Sequence, residues 1–296
     1  MRAAVDELHV LASQVVLPAD GEIVGLATER PGHPVVELPA FTEDPRRAEG
    51  IPRRLGHRID RYSALAYLSV SRLIAGLDLP APERVGLFIT NTRAGWSYAD
   101  AQFDAMLSKG ARSVAPYFVT AWFPAAGIGE VTIGLGLQGP AKTTTGRLSG
   151  FAEAMWLARD ALGRQAIDIA VVGAAESLVS SFAMLDWPPE PLPARGAAEG
   201  AVFLAVAREP TGTGPSLATV HGLRYDGADR STASDRDWVP TLSIATELVR
   251  HTARAADVEG GIDMALGGGY HATIRNARAA GGERHDRHAA HPGEPQ

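Results

Sequence analysis

Apolar residues between positions 151 and 162 fall on a helical period. Phe151, Ala154, Met155, Ala158, Ala161 and Leu162 stand at i, i+3, i+4, i+7, i+10 and i+11, one stripe that predicts a helix with a single buried face. Upstream, Gly139-Pro140 opens a threonine-rich extended run (Thr143, Thr144, Thr145) that turns at Gly146. A strand that ends in a tight turn at the mouth of a buried helix is a place where α/β enzymes mount a nucleophile.

Other elements can be read on either side of this stretch. Val10 to Val16 and Ile23 to Ala27 read as two short strands, followed by a loop rich in Pro and Arg (Pro31, Pro34, Pro39, Pro45, Pro52, Arg46, Arg47, Arg53, Arg54). Asp60 is placed to cap a helix that carries Leu65, Leu68, Val70, Leu73 and Ile74 and stops near Gly76. Arg84 to Thr90 reads as a short buried strand, Trp96 to Ser108 as a helix, and Phe123-Pro124-Ala125-Ala126 as the lead into a small-residue helix. Ile167 to Gly173 and Ala198 to Val206 read as strands, separated by a loop with Pro188, Pro189, Pro191 and Pro193. Beyond a strand at Leu217 to Leu223 and a polar loop, the pattern leaves one helix (Thr241 to Ala256) and one strand (Ile262 to Leu266). Residues 278–296 are polar and without period, which predicts a disordered tail. His285, His288 and His291 in that tail have a spacing that suits a metal, but the composition reads as solvated chain and no metal site is assigned.

Composition narrows the function classes. With 45% apolar and 21% charged residues over 296 positions, the chain has an ordinary globular make-up and can bury a large core. A net charge of −6 gives no basic face for nucleic acid. No apolar run reaches the roughly 18–20 residues that span a bilayer, and the first residues lack a signal-peptide pattern, so the expected location is cytoplasmic. Without cysteine there are neither disulfides nor thiolate metal sites, and no cofactor is expected.

Several collinear motifs resemble the β-ketoacyl synthases of the thiolase fold. Asp60-Arg61-Tyr62-Ser63 is similar to the family's helix start, and Arg84-Val85-Gly86 to the lead into a strand that ends in a Gly-rich turn, whose place Thr90 to Gly95 takes. Val114 to Val119 is similar to "Ser-Pro-Phe-Phe-Val", Gly173-Ala174-Ala175-Glu176 to a "Gly-Gly-x-Glu" turn, and Ala198 to Val206 to a "Gly-Glu-Gly-Ala" strand. Gly267 to Ala272 resembles the Gly-rich turn before the last strand, with His271 where Asn is usual. The resemblance implies an α/β, thiolase-like layered α-β-α fold, truncated in the C-terminal half. Residues 1–277 would form one ketosynthase-like domain, its N-terminal half about 1–215 and its shortened half about 216–277.

The departures are as informative as the matches. Counted from Gly139-Pro140, the family's nucleophilic cysteine falls on Leu148, which has no nucleophilic atom. The two histidine loops that stabilise the family's oxyanion are missing, and His221, His251 and His271 do not match them. The combination is similar to the chain-length factor (KSβ) of type II polyketide synthases, most of all the short ones of polyene-forming systems. Such a subunit is non-catalytic and pairs with an active ketosynthase as a heterodimer or a dimer of heterodimers. It shapes the acyl tunnel at their interface, and an acyl carrier protein docks on the complex. The resemblance implies a tunnel lined by Arg93, Trp96, Ala99, Phe103 and Phe118, with a partner interface at Tyr117, Phe118 and Val119. The family's residue at Arg93 is usually apolar and gates the pocket. Periodicity alone reads Trp96, Ala99 and Phe103, at i, i+3 and i+7, as core, so both readings stand. The Arg-rich loop likewise reads as a solvated loop or as a dock for an acidic carrier. The apolar, small-residue segment Ala121 to Leu137 would expose a flat surface unless another subunit covered it. Two alternatives remain: a homodimeric acyl-binding scaffold, and an acyltransferase or hydrolase using Ser149.

Overall fold

The computed structural model describes residues 6–26, 36–146, 148–180, 198–210, 216–225, 240–255, 261–267 and 269–275. The tail and its histidines lie outside the described residues. In chain order the elements are β1 (Glu7–Val16), β2 (Ile23–Leu26), β3 (Val36–Pro39), α1 (Arg53–Gly56), α2 (Arg61–Ala75), β4 (Val85–Thr90), α3 (Trp96–Lys109) and α4 (Phe118–Ala121). They continue with α5 (Ala126–Leu135), β5 (Ala141–Thr144), α6 (Gly150–Gly163), β6 (Ile169–Ser177), β7 (Glu199–Ala207), β8 (Ala218–Tyr225), α7 (Pro240–Arg254), β9 (Ile262–Gly267) and β10 (Tyr270–Arg275).

Eight strands form one mixed sheet in the order β5-β4-β6-β7-β1-β8-β10-β9, and β2 and β3 form a separate hairpin. β4 lies parallel to both β5 and β6, as helical crossovers require. From β6 onward every neighbour is antiparallel. All residues of β4, β6 and β7 are buried, so this part of the sheet must be covered on both faces.

Period-2 alternation distributes the strand residues between two cores. Leu87, Ile89, Ile169, Val171, Phe203 and Ala205 meet Leu65, Val70 and Leu73 of α2 and Ile128 and Val131 of α5. Phe88, Ala170, Val172, Val202 and Leu204 meet Phe151, Met155, Ala158 and Leu162 of α6 and Ile244, Ala245 and Leu248 of α7. The result is an α-β-α sandwich. The α6 stripe is as the period predicts, with Ala161 only partly buried against the core. Beyond β1 the sheet continues through four residue pairs onto β8, and the C-terminal part contributes β8, β10, β9 and α7.

Two local readings change. Gly173 to Glu176 is not a turn but strand interior, because β6 stays paired with β7 as far as Ser177 opposite Glu199. Gly173 allows this close pairing: a Cβ there would sit 2.2 Å from Val202 O. The Pro- and Arg-rich loop is partly ordered. Pro45–Arg47 forms a 3-10 turn and Arg53–Gly56 a helical turn, pinned by buried Pro45 and Leu55. No helix among the described residues is long and apolar enough to cross a membrane.

Candidate functional site

Clefts in α/β sheets open at the carboxyl ends of parallel strands, here the ends of β4 and β5. Thr90 Oγ1 donates to Thr144 O (3.3 Å), and the Asn91 N–H donates to the same carbonyl (3.2 Å), which ties the two strand ends together. Thr144 Oγ1 donates to Gly150 O (2.7 Å), and the Gly150 N–H donates to Gly146 O (2.9 Å), so the β5–α6 turn is closed on itself. Leu148 sits half-buried in this turn, two residues before α6.

Ser149 precedes α6 but does not cap it. Its Oγ donates to Glu153 Oε1 at 2.6 Å, so its proton faces a carboxylate rather than an imidazole. A serine nucleophile needs a base that is itself oriented by a third group. The candidate histidines are engaged elsewhere. His221 Nε2 lies 2.7 Å from Thr219 Oγ1 on β8, His251 is 3.8 Å from Glu247 on α7, and His271 lies in β10. Among the described residues no group of three or more His, Asp or Glu side chains is placed to hold a metal ion.

Past the end of β4, the β4–α3 turn is held by buried carboxylates. Glu176, fully buried near the end of β6, accepts from the Thr92 N–H and from the Arg93 N–H (3.0 and 3.1 Å). Burial pushes its carboxyl up to about 7, against the pull of those backbone donors. Asp60 caps α2 through the Tyr62 N–H (3.0 Å), as its position predicts. Its second oxygen accepts from Ser97 Oγ (2.5 Å) and the Tyr98 N–H (2.7 Å) on α3. Burial pushes Asp60 up to about 6, again opposed by its donors. This second role of Asp60 left no sequence signal, because its partners lie 37 and 38 residues away.

The structure brings together some of the residues assigned to the tunnel. The Phe103 and Phe118 rings meet edge to face, with centroids 5.7 Å apart, which joins α3 to α4. Ala99 is buried, Trp96 and Phe103 are half-buried, and Arg93 is half-buried with its backbone on Glu176. Of the fourteen residues of α3, only Tyr98 and Ala99 are buried, which is thin cover for a helix of that length.

An apolar surface runs over the same elements. Tyr117 (48% exposed) and Val119 (69%) are joined by Trp122, Phe123, Ile133 (76%) and Leu107 (81%), while Phe118 turns inward onto Phe103. α3 contacts α4, α4 contacts α5, and α5 contacts β5, the outermost strand of the sheet, which pairs only with β4 among the described residues. Apolar residues on the outer side of these helices were the available signal for Leu107 and Ile133. Elsewhere Arg46 pairs with Asp44, Arg58 with Glu130 and Arg61 with Glu199. Arg47, Arg53 and Arg54 are exposed and make no ion pair among the described residues.

Residues 28–188 match the family model described as Beta-ketoacyl synthase, N-terminal domain. A Streptomyces cyaneus protein named polyketide beta-ketoacyl synthase 2 is 30% identical over 127 residues, 41% of this chain and 30% of that protein. A Streptomyces virginiae protein of the same name is 28% identical over 144 residues, 47% of this chain and 35% of that protein. The 3-oxoacyl-(acyl-carrier-protein) synthase 2 of Staphylococcus aureus is 24% identical over 138 residues, covering 45% and 34%. The aligned stretches thus span about a third of the length of these relatives. Among solved structures, a chain of the AntDE:AntF complex matches with a TM-score of 0.67 at 16% identity, covering 92% of this chain and 99% of that one. That complex is described as a type II PKS acyl-carrier protein with its ketosynthase bound to the hexaketide. The ishigamide ketosynthase/chain length factor matches with a TM-score of 0.58 at 19% identity, covering 72% and 65%. At these identities the likeness is one of fold.

Proposed function

The chain belongs to the β-ketoacyl synthase family, with its thiolase-like layered fold, and we propose that within it the chain is a non-catalytic, chain-length-setting subunit. The observation that carries this reading is the β5–α6 turn. Leu148 holds the nucleophile position, and the neighbouring hydroxyl, Ser149, is committed to Glu153. A site without a thiol, or a histidine to activate the serine, cannot carry an acyl group between carriers.

The reading assigns the chemistry to a partner. An active, cysteine-bearing ketosynthase would cover the apolar surface of α3, α4 and α5, with Tyr117 and Val119 at the seam and Phe118 behind them on Phe103. Trp96, Ala99, Phe103 and Phe118 would then close the far end of the acyl tunnel, Arg93 standing beside them. Between residues 45 and 61 the chain carries six arginines against two acids, in a protein of net charge −6. The exposed Arg47, Arg53 and Arg54 suit the acidic surface of an acyl carrier protein. The product is a polyketide chain of polyene type, and the complex works in the cytoplasm.

Coexpression with a cysteine-bearing ketosynthase tests the reading. The pair should copurify, the chain alone should transfer no acyl group from a thioester, and Ser149→Ala should leave the pair's condensation rate unchanged. A stable homodimer that ignores the ketosynthase would favour the scaffold reading. A tenfold loss of rate in Ser149→Ala, at unchanged melting temperature, would restore catalysis to this chain.

A further inference from the structure

The segment Thr92–Tyr98 is fixed at more points than ending a strand and starting a helix requires. Ala94 has φ 48°, in the left-handed region that a residue with a Cβ avoids, and it is 1% exposed. Gly95 has no space for a side chain, since a Cβ would lie 1.9 Å from Ala121 O, and its N–H donates to Trp122 O at 3.1 Å. As the N-cap of α3, Gly95 offers no side-chain acceptor to the first-turn N–H groups. Those needs are met from outside the segment. Glu176 reaches from β6 to the N–H groups of Thr92 and Arg93, and Asp60 reaches from the start of α2 to Ser97 Oγ and the Tyr98 N–H.

The ordinary cap for such a turn is a Ser or Asp side chain at the N-cap, which the crowding at Gly95 excludes. Here two fully buried carboxylates, on two different elements of the core, grip both ends of a turn that holds a strained residue. Backbone strain of this kind persists only where the surroundings over-determine it, and it clusters where position matters to function. We propose that Glu176 and Asp60 are positioning residues, a two-point clamp that sets where α3 begins and so how deep an acyl chain can run before it meets the Trp96–Ala99–Phe103 face. The inference rests on the reading of α3 as the tunnel's end wall. It adds what fixes that wall: Glu176 binds the backbone N–H groups of Thr92 and Arg93, so the wall's position does not depend on which side chain stands at position 93.

Two readouts separate the clamp from the role of the chain. Hydrogen exchange on the full chain alone should show the amides of Thr92 and Arg93 exchanging at least tenfold faster in Glu176→Ala than in the parent. Glu176→Gln, which keeps one acceptor oxygen, should fall between the two. The pair reconstituted with a ketosynthase should spread its products over two or more lengths with Glu176→Ala and recover a narrower set with Glu176→Gln. Should Glu176→Ala not fold, Asp60→Asn is read the same way, with exchange rising at Tyr98. Unchanged exchange at these amides in a folded variant overturns the clamp. Faster exchange with an unchanged product set overturns its role in length while leaving the pairing intact. Failure to form any complex with a ketosynthase instead counts against the proposed function.

Discussion

Replacing Phe103 by alanine tests whether α3 closes an acyl tunnel. Phe103 is half-buried and its ring meets Phe118 edge to face at 5.7 Å. Truncating a fully buried phenylalanine costs about 3–5 kcal/mol, and an edge-to-face pair accounts for about 0.5–1.5 kcal/mol beyond area. With the ring only partly buried, the expected loss is below that range, roughly 2 kcal/mol, a fall of about 3–6 °C in melting temperature for a chain of this size. Where a partner covers α3, the variant leaves an apolar gap of about one benzene ring, the kind of void that accepts hydrocarbon. Each further two-carbon unit entering it would gain roughly 1–1.5 kcal/mol, which shifts the balance between extension and release about 5- to 13-fold. Products of the reconstituted pair should therefore move one or two units longer. Mass spectrometry of the acyl products, with a melting curve on the same sample, reads both effects. A lowered melting point with an unchanged product length means that Phe103 is core and the tunnel ends elsewhere.

Two further outcomes follow from the buried charges. Glu199 is fully buried against Arg61, with the Ser177 hydroxyl (2.7 Å) and the Phe41 N–H (2.9 Å) as its other donors. Arg61→Ala should cost about 3–5 kcal/mol in denaturant unfolding by leaving that carboxylate without a cation, and a loss below about 1 kcal/mol would mean the neutral donors suffice. Glu176 has its carboxyl raised to about 7 in the fold, so its contribution to stability is fully present below the unfolded carboxylate range and is lost as pH rises through 7. Glu176→Gln should therefore gain melting temperature relative to the parent between pH 5 and pH 8. A difference that is flat across that range refutes the buried titration.

Much of this was legible in the sequence, and what was not has a physical reason. The α6 stripe, the Asp60 cap and the run Val85–Thr90 are local signals: period, cap chemistry and an apolar strand bounded by turns. Gly173 to Glu176 misled because its likeness to a Gly-Gly-x-Glu motif suggests a turn, whereas Gly173 lets Val202 O approach across the β6–β7 pair. The antiparallel join of β1 to β8, which carries the sheet into its C-terminal part, depends on partners more than 200 residues apart. No local pattern encodes such a pairing. The same holds for the site. Leu148 could be counted from Gly139-Pro140, and the one face of Trp96, Ala99 and Phe103 followed from spacing. Glu176 binds the backbone N–H groups of Thr92 and Arg93 in the β4–α3 turn, and Asp60 binds Ser97 Oγ and the Tyr98 N–H on α3, all over tens of residues. A donating backbone N–H leaves no trace in the identity of its residue.

The apolar surface also bears on what kind of partner the chain would accept. Burying the exposed parts of Leu107, Tyr117, Val119, Trp122, Phe123 and Ile133 would yield about 7 kcal/mol, taking roughly 2 kcal/mol for each fully buried side chain. Association costs an estimated 4–15 kcal/mol in lost freedom, so this surface alone roughly breaks even. Something directional must supply the surplus, and β5 is placed to do so. It is a four-residue edge strand that contacts α5 and pairs on one side only among the described residues. Each backbone hydrogen bond added to that edge is worth about 1 kcal/mol net, and such bonds form only with a partner that presents a strand in register. A protein with a matching edge and a matching apolar face would bind, and one with the apolar face alone would bind weakly at best. The chain would then choose its partner by shape and strand register.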